Sequence, residues 1–600
     1  MASPQAIVIV LSSLLLRLSA YVFLRWIPGH PAPPVIFASA LVYALACVAY
    51  PSSEETPYLS PNRVSSKETE KSKSSAEHAK APLQEEKVAG KDSVQGAWIL
   101  LSGLPSRSAL SWTTATVAVN ALLVLFTIDV VYRAPYAYSS NDLSFARIGY
   151  VSDTAASILV REPDVAQLPL YVSYRGVGSP QDSVTEDPWK SAGKVYFLSN
   201  ETDYTYTLRI SDLHPSTRYQ YAVSNNLTGY FTTAPSIGKL APGSDTLTFL
   251  TSSCIKPRVP YNPLHHPLSV PGFKHLAKWI PSLQASFMLF LGDFIYVDVP
   301  RRLGYDAETY RREYRQVYAS PDWPSVSTNL PWLHVLDDHE IANDWDSNTS
   351  APYPAAVDPW HIYHTSINPP PADPGASYFT FTHGPASFFL MDTRRYRSPS
   401  RLLPPDHPDK TMLGAQQLSS LLNFLSTSPP EGVKWKFIIT SIPFTRNWRF
   451  GSWDTWGGYL HERRIILEHM WDVALSASGT GIVILSGDRH EFAATAFPPP
   501  KDGKWPLSAT VHEFSTSPLS MFYLPVRTYW EKEGEDEVCI KYLPDGNSKF
   551  GVVEVDRGRG GEQGVVKFRL FVDGEEVWNY VVTSPPAVGG GGRGKDAIWG

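Results

Sequence analysis

The chain has 600 residues, too many for one hydrophobic core, and length alone suggests three or four units. Its formal charge is −6 and no extended basic stripe runs through it, which argues against nucleic acid as the main partner. Three cysteines allow at most one bridge, Cys254 to Cys539, while 18 Trp, 31 Tyr and 52 Pro describe strands, loops and rigid turns rather than a helical bundle.

Residues 1–135 read as a membrane region. Apolar stretches at 6–24, 34–50 and 111–132 are each near the length needed to span a bilayer, although Arg17 interrupts the first. A cleaved signal peptide fits the first stretch poorly, because no basic segment precedes it and further apolar segments follow. Residues 51–96 combine low hydrophobicity with dense mixed charge and read as a disordered loop. Across 51–107 the cations Arg63, Lys67, Lys71, Lys73, Lys80, Lys87, Lys91 and Arg107 assign this loop to the cytoplasm. The third span then carries the remainder to the lumenal or extracellular side. Sequons at Asn200, Asn226 and Asn348 agree with that side as glycosylation acceptors.

Residues 140–235 alternate apolar and polar positions in short runs broken by Pro, Gly, Asn or Asp. The segment "TLRISDLHPSTRYQYAV" has the shape of a fibronectin-type strand, turn and strand, so this region is expected to be a β-sandwich. From 240 to 585 the pattern becomes α/β. Apolar strands are expected at 245–254, 287–293, 332–338, 387–396, 434–444 and 481–490, with amphipathic helices such as "GAQQLSSLLNFLST" and "ERRIILEHMWDVALSA" between some of them. Near the C-terminus, "FRLFVDGEEVWNYVV" reads as a hairpin turning at Asp-Gly. Residues 586–600 read as a flexible glycine-rich tail.

The expected strands end in chemistry. One leads to Cys254, one to Asp293, one to Asp337-Asp338-His339-Glu340, one to Asp392 and one to Asp488-Arg489-His490. A single Asp after an apolar run is usually a turn residue, but ligand sites in α/β sheets form beyond the carboxyl ends of strands. Repeated delivery of metal-competent groups at those ends points to a metal centre.

"GDFIYVD", "DDHE" and "GDRH" occur in the order and strand context of the motif blocks of calcineurin-like metallophosphoesterases, and resemble most the PhoD-like (alkaline phosphatase D) family. "SSCIKP", "MDTRRYR", "SWDTWGGYLHERRIIL" and "HEFSTSPLS" match as well, so the resemblance covers roughly 140–580. It implies a four-layer α/β metallophosphoesterase domain behind a β-sandwich. It also implies hydrolysis of a phosphomonoester or diester by a hydroxide held between two metal ions. Asp293 would bridge the ions. Cys254, Tyr296 and His490 would complete a first, Fe(III), site; Asp338 and Asp488, with Asn343 as a further candidate, would complete a second.

The sequence departs from the wider superfamily there: Asp338 replaces an Asn, Asp488 a His, and Ser441 lies near the place of another His. Oxygen in place of nitrogen selects a harder ion, so Ca²⁺ is expected, with Mg²⁺ or Mn²⁺ as alternatives; a second calcium could use Asp392 or Asn343. His339 would protonate the leaving group, oriented by Glu340. Arg394 and Arg397 would take phosphate oxygens, against the bland reading of a surface basic cluster. Trp453, Trp456 and Tyr459 read equally as an aromatic wall of the pocket or as core. The alternative to a membrane-anchored hydrolase is a catalytically degenerate binding or scaffold protein. Location alone makes a lipid-linked phosphodiester an attractive substrate.

Overall fold

The computed structural model describes residues 3–50, 94, 96–178, 187–476, 479–501, 503–558 and 563–586. Of the charged loop expected over 51–96, only Val94 and Gly96 are among these, and of the tail over 586–600 only Pro586. The chain divides into two compact units, Met1–Arg133 and Ala134–Gly600.

In the first unit, α1 (Pro4–Arg25), α2 (Ala32–Ala49) and α3 (Leu110–Ile128) follow the three apolar stretches. Pro4–Arg25, Ala32–Ala49 and the helical run Arg107–Ala137 are long and apolar enough to cross a membrane. Arg17 is held by partners within this unit. Its guanidinium donates to Asn120 Oδ1 and Thr116 Oγ1, both at 2.6 Å, and to the Leu100 carbonyl. A charge in an apolar helix needs partners of this kind.

The second unit begins with a β-sandwich. One sheet has the order β1 (Phe145–Val151), β2 (Ala156–Arg161), β5 (Thr205–Ile210); the other runs β4 (Lys190–Val195), β3 (Leu170–Gly176), β6 (Arg218–Val223), β7 (Thr228–Thr232). All pairings are antiparallel, and alternate residues such as Ile158, Val172, Tyr221 and Phe231 fill the core between the sheets.

Two larger sheets follow. The first has the order β10 (Trp332–His334), β9 (Met288–Phe290), β8 (Leu247–Ser252), β18 (Lys549–Asp556), β19 (Val565–Val572), β20 (Glu575–Thr583). The second runs β11 (Phe379–His383), β12 (Ala386–Leu390), β13 (Trp435–Ile439), β14 (Gly481–Ser486), β16 (Val511–Thr516), β15 (Phe492–Phe497), β17 (Val538–Leu543). Phe249, Leu289, Phe388, Phe437, Val483, Phe514 and Phe568 pack between them as one core. A second core joins one sheet to α4 (Pro271–Leu283), α5 (Ala307–Tyr318) and α6 (Tyr353–Tyr363); a third joins the other to α7 (Gly414–Ser426) and α8 (Leu460–Val473). Helix, sheet, sheet and helix therefore form four layers.

The sandwich is locked to this body through buried charge. Asp203 accepts from Arg161 (3.0 Å), from Arg315 on α5 (2.9 Å) and from the Tyr363 hydroxyl on α6. Arg147 on β1 donates to the Tyr318 hydroxyl (2.6 Å) and the Trp332 carbonyl (2.8 Å).

The inner strands β8, β9 and β10 are parallel, as are β12, β13, β14 and β16. Their carboxyl ends therefore point the same way within each sheet. The hairpin at Asp573-Gly574 joins β19 to β20, and its φ values of 47° and 89° suit a tight strand-reversing turn. Cys254 and Cys539 are both free thiols.

Candidate active site

Gly292, with φ 101°, ends the strand that opens the site, and a Cβ there would come within 2.4 Å of Asp337 Cβ. Two strand-end loops thus approach more closely than any side chain allows, which requires glycine. Cys254, Asp293, Asp488 and His490 then adopt left-handed backbone, with φ 61°, 58°, 75° and 58°. Non-glycine residues are uncommon there, and each costs roughly 1–3 kcal/mol that the surrounding fold must offset.

The four residues expected around the first ion converge. The Tyr296 hydroxyl lies 2.8 Å from Asp293 Oδ2 and 2.9 Å from His490 Nε2, and Cys254 Sγ lies 3.4 Å from the same Asp293 oxygen. Each is buried, or nearly so. A second group of carboxylates, buried except for the partly buried Asp488, shares Asp293: Asp293, Asp337, Asp338 and Asp488 each place an oxygen within 4.8 Å of the others. Asp337 Oδ2, Asp338 Oδ1 and Asp488 Oδ2 are buried without a hydrogen-bond partner among the described residues.

That arrangement fits cations and little else. Burial pushes Asp293 and Asp488 well above the usual carboxylate range and Asp337 up to about 6. Burial pushes on Asp338 too, but Arg394 and His339 outweigh it and hold that carboxyl below its ordinary value. Burial, with Asp293 beside them, likewise pushes the Cys254 thiol and Tyr296 phenol well up. Burial holds His490 neutral, the form in which imidazole ligates. Arg394 offsets part of this acidity at Asp337 and Asp338, and a pair of cations would stabilise the remaining oxygen and sulfur donors.

His339 stacks on Tyr296, with ring centroids 4.1 Å apart. Its Nδ1 faces Asp298 Oδ1 at 2.7 Å. Burial opposes a charged ring here, yet Asp298, Asp338 and Asp293 raise the pKa of His339 well above its ordinary value. The orienting partner is thus Asp298, and the expectation that Glu340 fills this role is corrected. The Glu340 carboxylate instead accepts the backbone N–H groups of Asp293 (3.1 Å), Phe294 (2.6 Å) and Asp337 (3.0 Å), tying two strand-end loops together.

Arg394 and Arg397 also stand apart from the expectation. Both are fully buried. Arg394 donates to Asp337 (2.6 Å) and, through two nitrogens, to Asp454 (2.8 and 3.0 Å); Arg397 donates to Asp454 and to the Tyr459 hydroxyl. With their forks engaged by buried carboxylates, neither guanidinium is presented to a phosphate. The bland alternative of a surface cluster is equally wrong. Asn343 is exposed, and its backbone N–H donates to Asp298. Asp392 accepts from Ser377 and from the N–H groups of Arg394 and Arg395, so it caps its own turn. Ser441 donates to Asp337. Trp456 and Tyr459 are core, and only Trp453 is partly exposed.

Asp298, Asp337 and Asp454 have places in the site that the sequence reading did not assign them. Asp298 stands within "GDFIYVD" and Asp454 within "SWDTW", so adjacency to a motif was the available signal. Asp337 and Asp338 could not be told apart without the fold. Asp344 joins Asp338 and Asp454 in a further acidic group.

The family model for PhoD-like phosphatases matches residues 265–561. Residues 265–561 form a domain of the PhoD-like phosphatase family. Its members are phosphoric ester hydrolases, and the matched span includes Asp293, Tyr296, Asp338, His339, Asp488 and His490 while beginning after Cys254. A solved structure of PhoD is similar in fold, with TM-score 0.52 and 18% identity over 73% of this chain and 88% of that one. A purple acid phosphatase, PPD1, from yellow lupin (Lupinus luteus) seeds aligns with TM-score 0.49 and 12% identity over 73% of this chain and 74% of its own. No curated protein matches the sequence.

Proposed function

We propose that this PhoD-like phosphatase is a membrane-anchored, metal-dependent phosphohydrolase acting on mono- or diesters. The observation that carries the reading is the convergence of Cys254, Asp293, Tyr296 and His490 on one point and of Asp293, Asp337, Asp338 and Asp488 on its neighbour. The first set, with thiolate and phenolate, suits Fe(III); the second, all oxygen, suits Ca²⁺, with Mg²⁺ or Mn²⁺ as substitutes. Bound there, the cations would supply Lewis acidity, neutralising phosphate charge and activating the attacking water.

The chain's own residues do the rest. His339 is kept protonated by Asp298 and its neighbours, so it holds a proton ready for the departing oxygen. Stacking on Tyr296 fixes the ring plane, and Glu340 fixes the loop that carries it. Arg394 supports the centre from beneath by pairing Asp337 with Asp454.

The catalytic unit would lie on the lumenal or extracellular side, opposite a cytoplasmic 51–107 loop. That topology rests on the apolar helices and on loop charge. Asn200 and Asn226 are exposed and suit glycosylation. Asn348 suits it less, because its amide nitrogen, oriented to satisfy both ends, meets the Arg395 and Arg397 carbonyls at 2.9 and 3.0 Å. A membrane setting brings lipid-linked phosphate esters within reach as substrates.

The test is hydrolysis of p-nitrophenyl phosphate and bis-p-nitrophenyl phosphate by the full chain in nanodiscs, with chelation, calcium re-addition and Asp293→Asn. Loss on chelation, recovery with calcium and an inert Asp293→Asn are expected. A folded, metal-loaded chain inert towards both esters would favour the binding or scaffold alternative.

A further inference from the structure

Beside the metal-competent cluster lie exposed apolar side chains that hydrolysis as such does not use. Residues 447–454 and 522–530 form two paired loops: Trp530 N–H donates to the Asn447 carbonyl (3.0 Å) and Arg449 N–H to the Thr528 carbonyl (2.9 Å). Arg489, between Asp488 and His490, ties the first loop to the metal-competent cluster by donating to the Phe450 carbonyl. A few residues later, the Asp454 carboxylate joins Asp338 and Asp344. The loop therefore runs from the neighbourhood of Asp488 to that of Asp338.

Its aromatic side chains divide sharply. Trp448, Trp456 and Tyr459 are fully buried, whereas Phe450 is 55% exposed and Trp453 38% exposed. Phe450 meets Trp530, itself 47% exposed, with ring centroids 6.1 Å apart and near-perpendicular planes. Val526 on the facing loop is 55% exposed, and Phe522 lies edge-on to His490 at 4.7 Å. Large apolar side chains left half-open beside a charged centre, while neighbours in the same segment are sealed in the core, form a surface suited to an apolar ligand group.

We propose that Phe450 and Trp530 are specificity-determining residues that receive an apolar chain esterified to the substrate phosphate. The inference rests on the hydrolytic reading and narrows its substrate class to amphiphilic phosphoesters, in preference to sugar phosphates or nucleotides. The occupant is committed by continuity: a group resting on this surface is attached to a phosphate held at the adjoining carboxylate cluster.

The experiment compares p-nitrophenyl methyl, hexyl and glyceryl phosphates with the full chain in nanodiscs. The hexyl ester should exceed the methyl ester in kcat/KM by about tenfold, as expected for a chain only partly withdrawn from water, and the glyceryl ester should show no gain. Phe450→Ser and Trp530→Ser should bring the hexyl-to-methyl ratio towards one; Val526→Ser, on the facing loop, asks the same question if either fails to fold. Equal kcat/KM for all three esters in the wild type overturns the proposal. Calorimetric binding of hexylphosphonate against methylphosphonate separates the two readings. If no ester is hydrolysed, the hydrolytic reading fails. Tighter hexylphosphonate then supports the apolar surface, and equal affinities overturn it as well.

Discussion

His339 Nδ1 lies 2.7 Å from Asp298 Oδ1, while the other Asp298 oxygen accepts the Asn343 N–H at 2.8 Å. One carboxylate thus fixes both the histidine's ring and the loop beyond it. If His339 is the proton donor, removing it should lower kcat by about 10²–10⁴ with little change in KM. Asp298→Asn keeps the shape but loses the charge that helps hold the proton. With that support reduced, the pKa of His339 falls, so the alkaline limb of the kcat profile should move to lower pH. An Asp298→Asn enzyme with an unmoved alkaline limb would disconnect the pair from catalysis.

Arg394 offers a sharp distinction between substrate binding and support. Its guanidinium is fully buried between Asp337 and Asp454. Arg394→Met leaves two buried carboxylates short of their partner and should cost about 3–5 kcal/mol of stability. Arg394→Lys should recover only part of it, because an ammonium cannot span both acids as the planar fork does. Thermal melting of the metal-loaded chain checks this. A variant with unchanged Tm and a raised KM would return Arg394 to the phosphate.

Why some of this was legible in sequence, and some not, follows from range. Gly481–Ser486 is flanked on both sides in its sheet, so it reads as an unbroken apolar run, and its Asp488 follows at once. Strands β9 and β10 each have three residues, shorter than the runs that announced them, because the chain leaves the sheet to build the site. Strand β15, "FAATAF", escaped notice because its small residues carry little hydrophobic signal although all are buried. Helix α5 also escaped notice, although Asp306 accepting the Thr309 N–H marks its start. The metal-competent residues were legible because they follow the ends of four strands, β8, β9, β10 and β14. The fate of Arg394 was not, because Asp454 reaches it from 60 residues away. The same holds for Phe450 and Trp530, which meet only through the pairing of two loops.

Cys254 brings a thiol to the centre, and that thiol would be hard to ionise without a cation because burial and Asp293 both oppose the charge. Cys254→Ser should therefore deplete the ion held with Tyr296 and His490 while sparing the one held by Asp337, Asp338 and Asp488. Elemental analysis of wild type and variant, purified in parallel, reads this directly. Iron is expected to fall and calcium to persist, with activity falling alongside iron. Parallel loss of both metals would mean that the two groups form a single site.

Acid sensitivity should arise away from the centre. His383 and His512 are buried, and desolvation lowers each to about 4 from an ordinary value of 6.5. His334 and His364 stack with centroids 3.6 Å apart in an aromatic core, and burial drives both well below the ordinary value. A depressed pKa means that the unfolded chain binds more protons between pH 6.5 and 4, so stability present above 6.5 is lost as pH falls through that window. For His512 the full loss amounts to about 3 kcal/mol. Melting curves of the full chain should thus drop steeply below pH 6.5. His512→Leu removes one proton-binding site from the unfolded state, and its Tm should fall less over the same window. Parallel Tm curves for the two proteins would show that His512 does not carry this share of the acid response.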